Sequence, residues 1–190
     1  MPNWVDNTVI IEGEKEIISE IKERLARPTK VKDSEPQVIS FLNIVCPPDD
    51  KWDEYNGMHG WSEGEKKGDT EFNWYNFNQA NWGVKWDACN PSIVDETDTK
   101  VVYEFQSPWA PPIRAFLALS EQYPTITITD EWIEEQGFGS TVIVKNGDDE
   151  EVDGFDWICG DCYYKHQGET DSFYNDETYE HTCPNCGVSR

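Results

Sequence analysis

The spacing of apolar residues predicts most of the secondary structure in the first 145 residues. Residues 14–27 carry Ile17, Ile18, Ile21 and Leu25 on one helical stripe, with acidic and basic residues on the other faces. A second helix begins at Pro111-Pro112, where proline costs no hydrogen bond, and ends before Pro124. Short β-branched or alternating apolar runs predict five strands, at residues 7–12, 38–45, 101–105, 125–129 and 141–144.

The order of these elements predicts the fold class. It is β-α-β, an aromatic-rich insertion, and then β-α-β-β, with one helix-containing crossover in each half. This order indicates a ferredoxin-like α+β sandwich, in which two helices cover one face of a sheet. Residues 49–70 are rich in Gly and charged residues, and we interpret them as a long loop.

An acidic run divides the chain into two predicted modules. Residues 148–153 read DDEEVD, and like charges extend a linker and oppose packing. The sequence therefore predicts a ferredoxin-like domain over residues 1–147, a linker over 148–153, and a small zinc ribbon over 154–190.

Four cysteines in the last module have the spacing of a metal site. Cys159 and Cys162 form one C-x2-C pair, and Cys183 and Cys186 form a second pair after a 20-residue spacer. Two such pairs supply four sulfurs to one tetrahedral ion, which predicts one structural zinc ion with no open position for a substrate. Two disulfides and a rubredoxin-like iron site are the alternatives, and His166 or His181 could replace a cysteine as ligand.

The net charge narrows the range of partners. The chain has 38 Asp and Glu against 15 Lys and Arg, for a formal net charge of −23. Such a charge repels phosphate backbones and anionic lipid, so long nucleic acid and membranes are disfavoured as direct partners. The sequence shows no secretory signal and no apolar run of about 20 residues. We therefore expect a cytoplasmic protein that binds a protein partner or a single nucleotide.

One aromatic segment permits two interpretations. Trp82, Lys85 and Trp86 lie close together, and a helical turn would place both indoles on one face. They are either core residues or, together with Trp109, a recognition surface of aromatic rings around one cation. The isolated cysteines are Cys46, expected to be buried, and Cys89, which has no activating base near it in sequence.

Four segments carry a resemblance to a known family. They are MPNW at residues 1–4, NWGVKWDA at 81–88, WAPP at 109–112 and EEQGFGS at 134–140. In this order they resemble the YubB-type family of phage and plasmid proteins, which have a ferredoxin-like domain. The resemblance covers residues 1–145 and implies a mobile-element origin and an α+β fold. It departs from the family at Val84, where threonine is usual, and at Val5, where cysteine is common.

Three classes of function follow from these features. The first, favoured because no catalytic constellation is visible, is a non-enzymatic phage or mobile-element accessory protein. It would bind a host or phage protein, and its acidic surface could mimic DNA. The second is a zinc ribbon that docks on transcription or replication machinery, and the third is an enzyme that uses a metal and a nucleotide.

Overall fold

The chain forms four helices and ten strands in the residues that the computed structural model describes, which are 2–31, 35–56, 72–159, 161–162, 164–166, 174–175 and 180–188. The helices are α1 (Lys15–Leu25), α2 (Trp52–Asn56), α3 (Trp74–Asn81) and α4 (Ile113–Gln122). The strands are β1 (Trp4–Glu12), β2 (Cys89–Thr97), β3 (Lys100–Pro108), β4 (Thr127–Glu134), β5 (Gly139–Lys145), β6 (Asp148–Glu151), β7 (Trp157–Ile158), β8 (Lys165–His166), β9 (Tyr174–Asn175) and β10 (Glu180–His181). None of the described helices has the length and apolar character needed to cross a membrane.

A six-stranded antiparallel sheet has the order β2-β3-β1-β4-β5-β6. Its first four strands, with α1 after β1 and α4 after β3, form the β-α-β-β-α-β arrangement of a ferredoxin-like fold. Strands β5 and β6 extend the sheet beyond β4. The predicted ferredoxin-like α+β fold is therefore confirmed.

The core lies between one face of the sheet and the helices. In β1, alternate residues from Val5 to Ile11 are buried, as the period of a strand requires. Ile18, Ile21 and Leu25 of α1 pack on this face, and Ala115, Phe116 and Leu119 of α4 pack beside them. Three of the four residues of the predicted α1 stripe are thus buried as expected, and the fourth, Ile17, is half buried.

The other residues of the same strands form the opposite face of the sheet, which we call the open face. Thr8 lies between Glu104 of β3 and Glu131 of β4 in the register of the three central strands. Two residues earlier on β1 and on the same face, Asp6 pairs with Gln106 and with Ile133. Because Asp6, Glu104 and Glu131 are exposed, the centre of the open face is acidic.

The predicted strand at residues 38–45 is wrong. Its central residues form a 3-10 turn, Phe41–Asn43, and Ile39, Phe41 and Leu42 are all buried. A run buried on consecutive positions has no exposed face, so it carries no signal that separates a strand from a short helical segment. The strand at this point of the fold is β2, a polar and largely exposed edge strand with two register irregularities.

The acidic run at residues 148–153 is not a linker. Asn146 and Gly147 adopt positive φ values of 48° and 82°, as a two-residue hairpin turn requires, and the chain returns as β6 along β5. All four side chains of β6 are exposed, so their repulsion is screened by water at the sheet edge. Pairing continues to Phe155, whose backbone exchanges hydrogen bonds with Gly139. The division of the chain into two domains stays a prediction.

The predicted loop at residues 49–70 begins as helical structure. Asp49–Lys51 form a 3-10 turn that leads directly into α2. Residues 57–70 of this predicted loop lie outside the described residues.

Candidate metal centre and indole cluster

The four predicted cysteine ligands come together in space. The sulfur atoms of Cys159, Cys162, Cys183 and Cys186 all lie within 4.8 Å of one another. Two pairs, Cys159 with Cys186 and Cys162 with Cys183, are 3.7 Å apart. A tetrahedral ion with metal–sulfur bonds of about 2.3 Å has sulfur–sulfur edges of about 3.8 Å. The cluster therefore has the size of a four-thiolate metal site.

Backbone hydrogen bonds shape the two turns that hold these sulfurs. The amide of Cys159 donates to the carbonyl of Tyr164 at 3.0 Å, and that of Cys183 donates to Val188 at 2.9 Å. Gly187 donates to the carbonyl of Cys183 at 2.7 Å and has a φ of +74°. Glycine takes this left-handed conformation without steric cost, which explains its position after the second cysteine pair.

The chemistry of the cluster suits metal binding. None of the four cysteines forms a disulfide among the described residues, and Cys159 and Cys183 are buried. The side-chain amide of Asn185 donates to the sulfur of Cys162 at 3.4 Å and, together with the backbone of Tyr164 and the neighbouring thiols, lowers the pKa of the Cys162 thiol. The hydrogen bond from the backbone of Val188 lowers the pKa of Cys186, but burial and the other thiols outweigh it, so that this pKa is raised instead. A low thiol pKa favours the thiolate, which is the form that binds a metal. Four thiolates fill a tetrahedral shell, so the arrangement favours a structural ion.

The structure describes the side chains of the isolated cysteines but not those of the alternative ligands. The side chains of His166 and His181 lie outside the described part of the structure. Cys46 is exposed, so the expectation that it is buried is wrong. Burial raises the pKa of the Cys89 thiol, which opposes a nucleophilic role.

Four tryptophans surround a buried lysine at one end of the main sheet. The Lys85 ammonium lies 4.6 Å from the ring centroid of Trp86, 5.7 Å from that of Trp109 and 6.0 Å from that of Trp74. The Trp86 ring is 6.4 Å from Trp109 and 5.9 Å from Trp4. We call Trp4, Trp74, Trp86 and Trp109 the indole cluster. Three of its rings lie within the range of cation–π attraction to Lys85.

Trp82 does not belong to this cluster, so its assignment to a recognition surface is wrong. Its side chain is completely buried, packs against Phe41 and Phe77, and donates from its indole nitrogen to the carbonyl of Val45 at 3.0 Å. Helix α3 ends at Asn81, and Gly83 turns the chain with a φ of +84°. Because no helix continues through this segment, Trp82 and Trp86 do not share a face.

Trp109 is the most exposed member of the indole cluster. Its side chain is 51% accessible to solvent, and its backbone has a φ of +64°. A bulky residue in this left-handed region costs roughly 1–2 kcal/mol. Its amide donates to the carbonyl of Asn3 at 2.9 Å, which ties the strained residue to the start of β1. Backbone strain on an exposed aromatic residue is a feature that often accompanies binding sites.

Tertiary contacts bring Trp4 and Trp74 into the cluster. Trp4 is next to Trp86 only because β1 and β3 pair in a register that sets Trp4 opposite Pro108. Trp74 approaches Lys85 because α3 folds back against the segment that follows it. Both contacts depend on tertiary structure, although the resemblance had already drawn attention to Trp4.

Comparisons with known proteins agree with the architecture. A family model described as "Ferredoxin-like domain in Api92-like protein" matches residues 81–182, more than half of the chain. No curated protein matches the sequence. A crystal structure of a protein api92 from Yersinia pseudotuberculosis is similar, with a TM-score of 0.54 and 11% sequence identity over 84% of this chain and 99% of that chain. At this identity the likeness concerns the fold alone. By the family match, the chain belongs to the family of Api92-like proteins with a ferredoxin-like domain.

Proposed function

We propose that the protein is a non-catalytic binding protein with one structural zinc ion. The exposed indole of Trp109 and the half-buried indoles beside it, with the carboxylates of the open face, bind a basic surface of a partner protein. The mobile-element origin implied by the YubB-type resemblance belongs to the same proposal, with a host or phage protein as the partner. The observation that carries it is the strained and exposed Trp109 beside an acidic sheet face.

The sulfur geometry and the ligand type support zinc. Tetrahedral four-sulfur sites hold zinc or iron, and zinc is the usual ion of paired C-x2-C turns that stabilise small modules. Elemental analysis of the purified protein should find one zinc per chain. A sample that absorbs visible light and contains iron in place of zinc would contradict this part of the proposal.

The indole cluster is continuous with the acidic face. Trp4 and Asp6 are two residues apart on β1, so their side chains lie on the same face of the sheet. The carboxylates of Glu104 and Glu131 follow on the two neighbouring strands. Aromatic anchors surrounded by polar and charged residues are the usual composition of a protein-binding surface.

The same positions argue against RNA as the ligand of the sheet. Ferredoxin-like domains that bind RNA use aromatic residues of the central strands to stack bases. In this chain the residues at the middle of the three central strands are Glu104 of β3, Thr8 of β1 and Glu131 of β4. Carboxylates there repel phosphates and attract lysine and arginine side chains, which favours a basic protein.

A glycine substitution separates binding from stability. Trp109→Gly relieves the positive φ but also removes the contacts of the indole with Trp86 and Lys85, so the two effects offset and the free energy of unfolding should change by less than about 1 kcal/mol. Phe138→Ala is the matched control, because Phe138 is an exposed aromatic residue that contacts Trp132 and no member of the indole cluster. Both variants and the wild type are immobilised and used to capture proteins from cell extract at moderate salt.

We expect the wild type and Phe138→Ala to capture basic proteins that Trp109→Gly does not capture. An unchanged set of captured proteins with Trp109→Gly would contradict the proposed surface. The double variant Cys159→Ser/Cys162→Ser tests the other docking mode. If capture depends on the cysteines and not on Trp109, the metal module is the docking element.

A further inference from the structure

A cleft lies beside the indole cluster and is lined by two of its members, Trp74 and Trp86. It has a volume of about 440 Å³, within the range of about 300–1,000 Å³ for small-molecule sites. The segment after α1, helices α2 and α3, and residues 86–87 form its walls. Its aromatic wall consists of Tyr55, Trp74 and Trp86, and most of its lining is apolar.

The inner wall of the cleft offers hydrogen-bond acceptors. One oxygen of Asp87, Oδ1, accepts from the backbone amides of Phe41 at 2.7 Å and Ala88 at 2.9 Å. The other oxygen, Oδ2, accepts from the hydroxyl of Ser40. A carboxylate oxygen has two acceptor positions, so Oδ2 can take a second donor from the cleft. The Ser40 proton is already used within the wall.

The hydroxyl oxygen of Tyr55 is a further hydrogen-bond acceptor in the wall of the cleft. Its hydroxyl donates to the side-chain oxygen of Asn78 at 3.0 Å, and the amide of Asn78 in turn donates to the carbonyl of Lys85 at 2.8 Å. The Tyr55 proton therefore points into the wall, and its oxygen lone pairs remain as acceptors. Burial raises the pKa of Tyr55, which keeps this proton in place. A ligand in contact with Asp87 and Tyr55 must bring N–H or O–H donors.

The charges around the cleft favour an uncharged ligand. Among the described residues, three charged side chains line it: Arg27 and Glu35 have opposite signs, and the carboxylate of Asp87 already accepts hydrogen bonds from Phe41, Ala88 and Ser40. The net charge of −23 would repel a phosphate, and the positive charges of Arg27 and the nearby Lys85 ammonium would repel a cation. Aromatic walls in turn favour a planar apolar ring.

From this arrangement we infer that the cleft binds an uncharged, planar nitrogen heterocycle of nucleobase size, and that an amino group on this ring donates to Asp87 and Tyr55. Trp74 and Trp86 form the apolar walls against the ring. The cleft shares Trp74 and Trp86 with the indole cluster, whereas Trp109 does not line it.

Two ligands that differ by one amino group test the inference. Adenosine and purine riboside share the ring and the sugar, and only adenosine carries the amino group. The full chain is titrated with each by calorimetry, with cytidine and pyrimidin-2-one riboside as a second pair that differs by the same amino group. A site whose buried acceptors need a donor should bind the amino compound of each pair at least tenfold more tightly. Adenosine 5′-monophosphate should bind more weakly than adenosine, since its phosphate is repelled.

Neighbouring aromatic residues on α3 provide the variants. Trp74→Ala removes one wall and should weaken adenosine binding at least tenfold. Tyr75→Ala removes an exposed ring from the same helix that does not line the cleft, and should leave binding within about twofold. Asp87→Asn, where it folds, should reduce the preference for adenosine over purine riboside.

Several results would overturn the inference. They are an absence of binding by both adenosine and cytidine at millimolar concentration, equal affinity for the two members of each pair, and unchanged binding by Trp74→Ala. Tighter binding of agmatine than of adenosine would overturn the assignment of an uncharged ligand.

Discussion

Asp130 is a buried carboxylic acid without a partner, and its replacement should stabilise the protein. Its side chain has no exposed surface, and neither carboxyl oxygen has a hydrogen-bond partner among the described residues. It lies on the core face of β4, opposite Val9 of β1 and Val142 of β5. Burial, and to a lesser degree the charge of Glu131, raises the pKa of Asp130 well above its ordinary value of 3.8.

The size of the effect follows from the two unpaired oxygens. A buried polar group without a hydrogen bond costs about 1–3 kcal/mol in protein mutational data. Asp130→Val removes both oxygens and places a β-branched residue between two valines in a strand. We therefore expect a gain of about 1–3 kcal/mol at pH 7, which raises the midpoint of thermal unfolding by about 2–4 °C for each kcal/mol.

The gain should increase with pH. Because the folded state holds the proton of Asp130 to a higher pH than the unfolded state, stability is full below pH about 4 and falls as the pH rises towards the pKa in the folded state. The slope of this loss is at most about 1.4 kcal/mol per pH unit. Asp130→Asn keeps the shape of the side chain and cannot ionise, so its advantage over the wild type should be larger at pH 8 than at pH 5.

Urea unfolding followed by tryptophan fluorescence at pH 5, 6, 7 and 8 measures these differences. Glu131→Gln is the matched control, because it removes one exposed carboxylate from the next position of the same strand and should change stability by less than about 0.5 kcal/mol. The reasoning is refuted if the difference between Asp130→Asn and the wild type is the same at pH 5 and pH 8. It is also refuted if Asp130→Val destabilises the fold.

Three further predictions concern the metal, the core and the sheet. Cys159→Ser/Cys162→Ser should lose the bound metal without a change in the main unfolding transition, and unchanged metal content by elemental analysis would contradict the four-cysteine site. Trp82→Ala should cost about 3–5 kcal/mol in urea unfolding, since the indole is completely buried, and a cost below about 1 kcal/mol would show that this core position is misassigned. Gly139→Ala should cost about 1–3 kcal/mol, because a Cβ would lie 2.2 Å from the carbonyl oxygen of Trp132, and a neutral result in the same assay would contradict that close approach.

The sequence predicts those elements whose burial follows a regular period. Helices α1 and α4 have one apolar stripe each, and β1, β3, β4 and β5 contain β-branched or alternating residues, so each predicted element appears within a few residues of its position. The four cysteine ligands could also be predicted, because both turns are local and their spacing is specific.

The missed elements lack such a period. β2 lies at the sheet edge with mostly exposed residues, and β6 consists of four exposed acids, so neither has an apolar face to detect. Residues 38–45 are apolar on consecutive positions, which conceals a 3-10 turn. The acceptor wall of the cleft brings Ser40, Tyr55 and Asp87 together from separate segments, and no local motif could reveal it.

The segment at residues 81–88 shows why composition alone could not assign roles to its two tryptophans. Asn81 ends α3, and the positive φ of Gly83 reverses the direction of the chain. Trp82 therefore enters the core below α3, while Trp86 emerges beside Lys85 and Trp109. One glycine thus separates a residue that stabilises the core from the residues that form the indole cluster. A side chain at position 83 would meet only the Arg114 side chain at ordinary contact distance, so the constraint there is the backbone conformation rather than the available space.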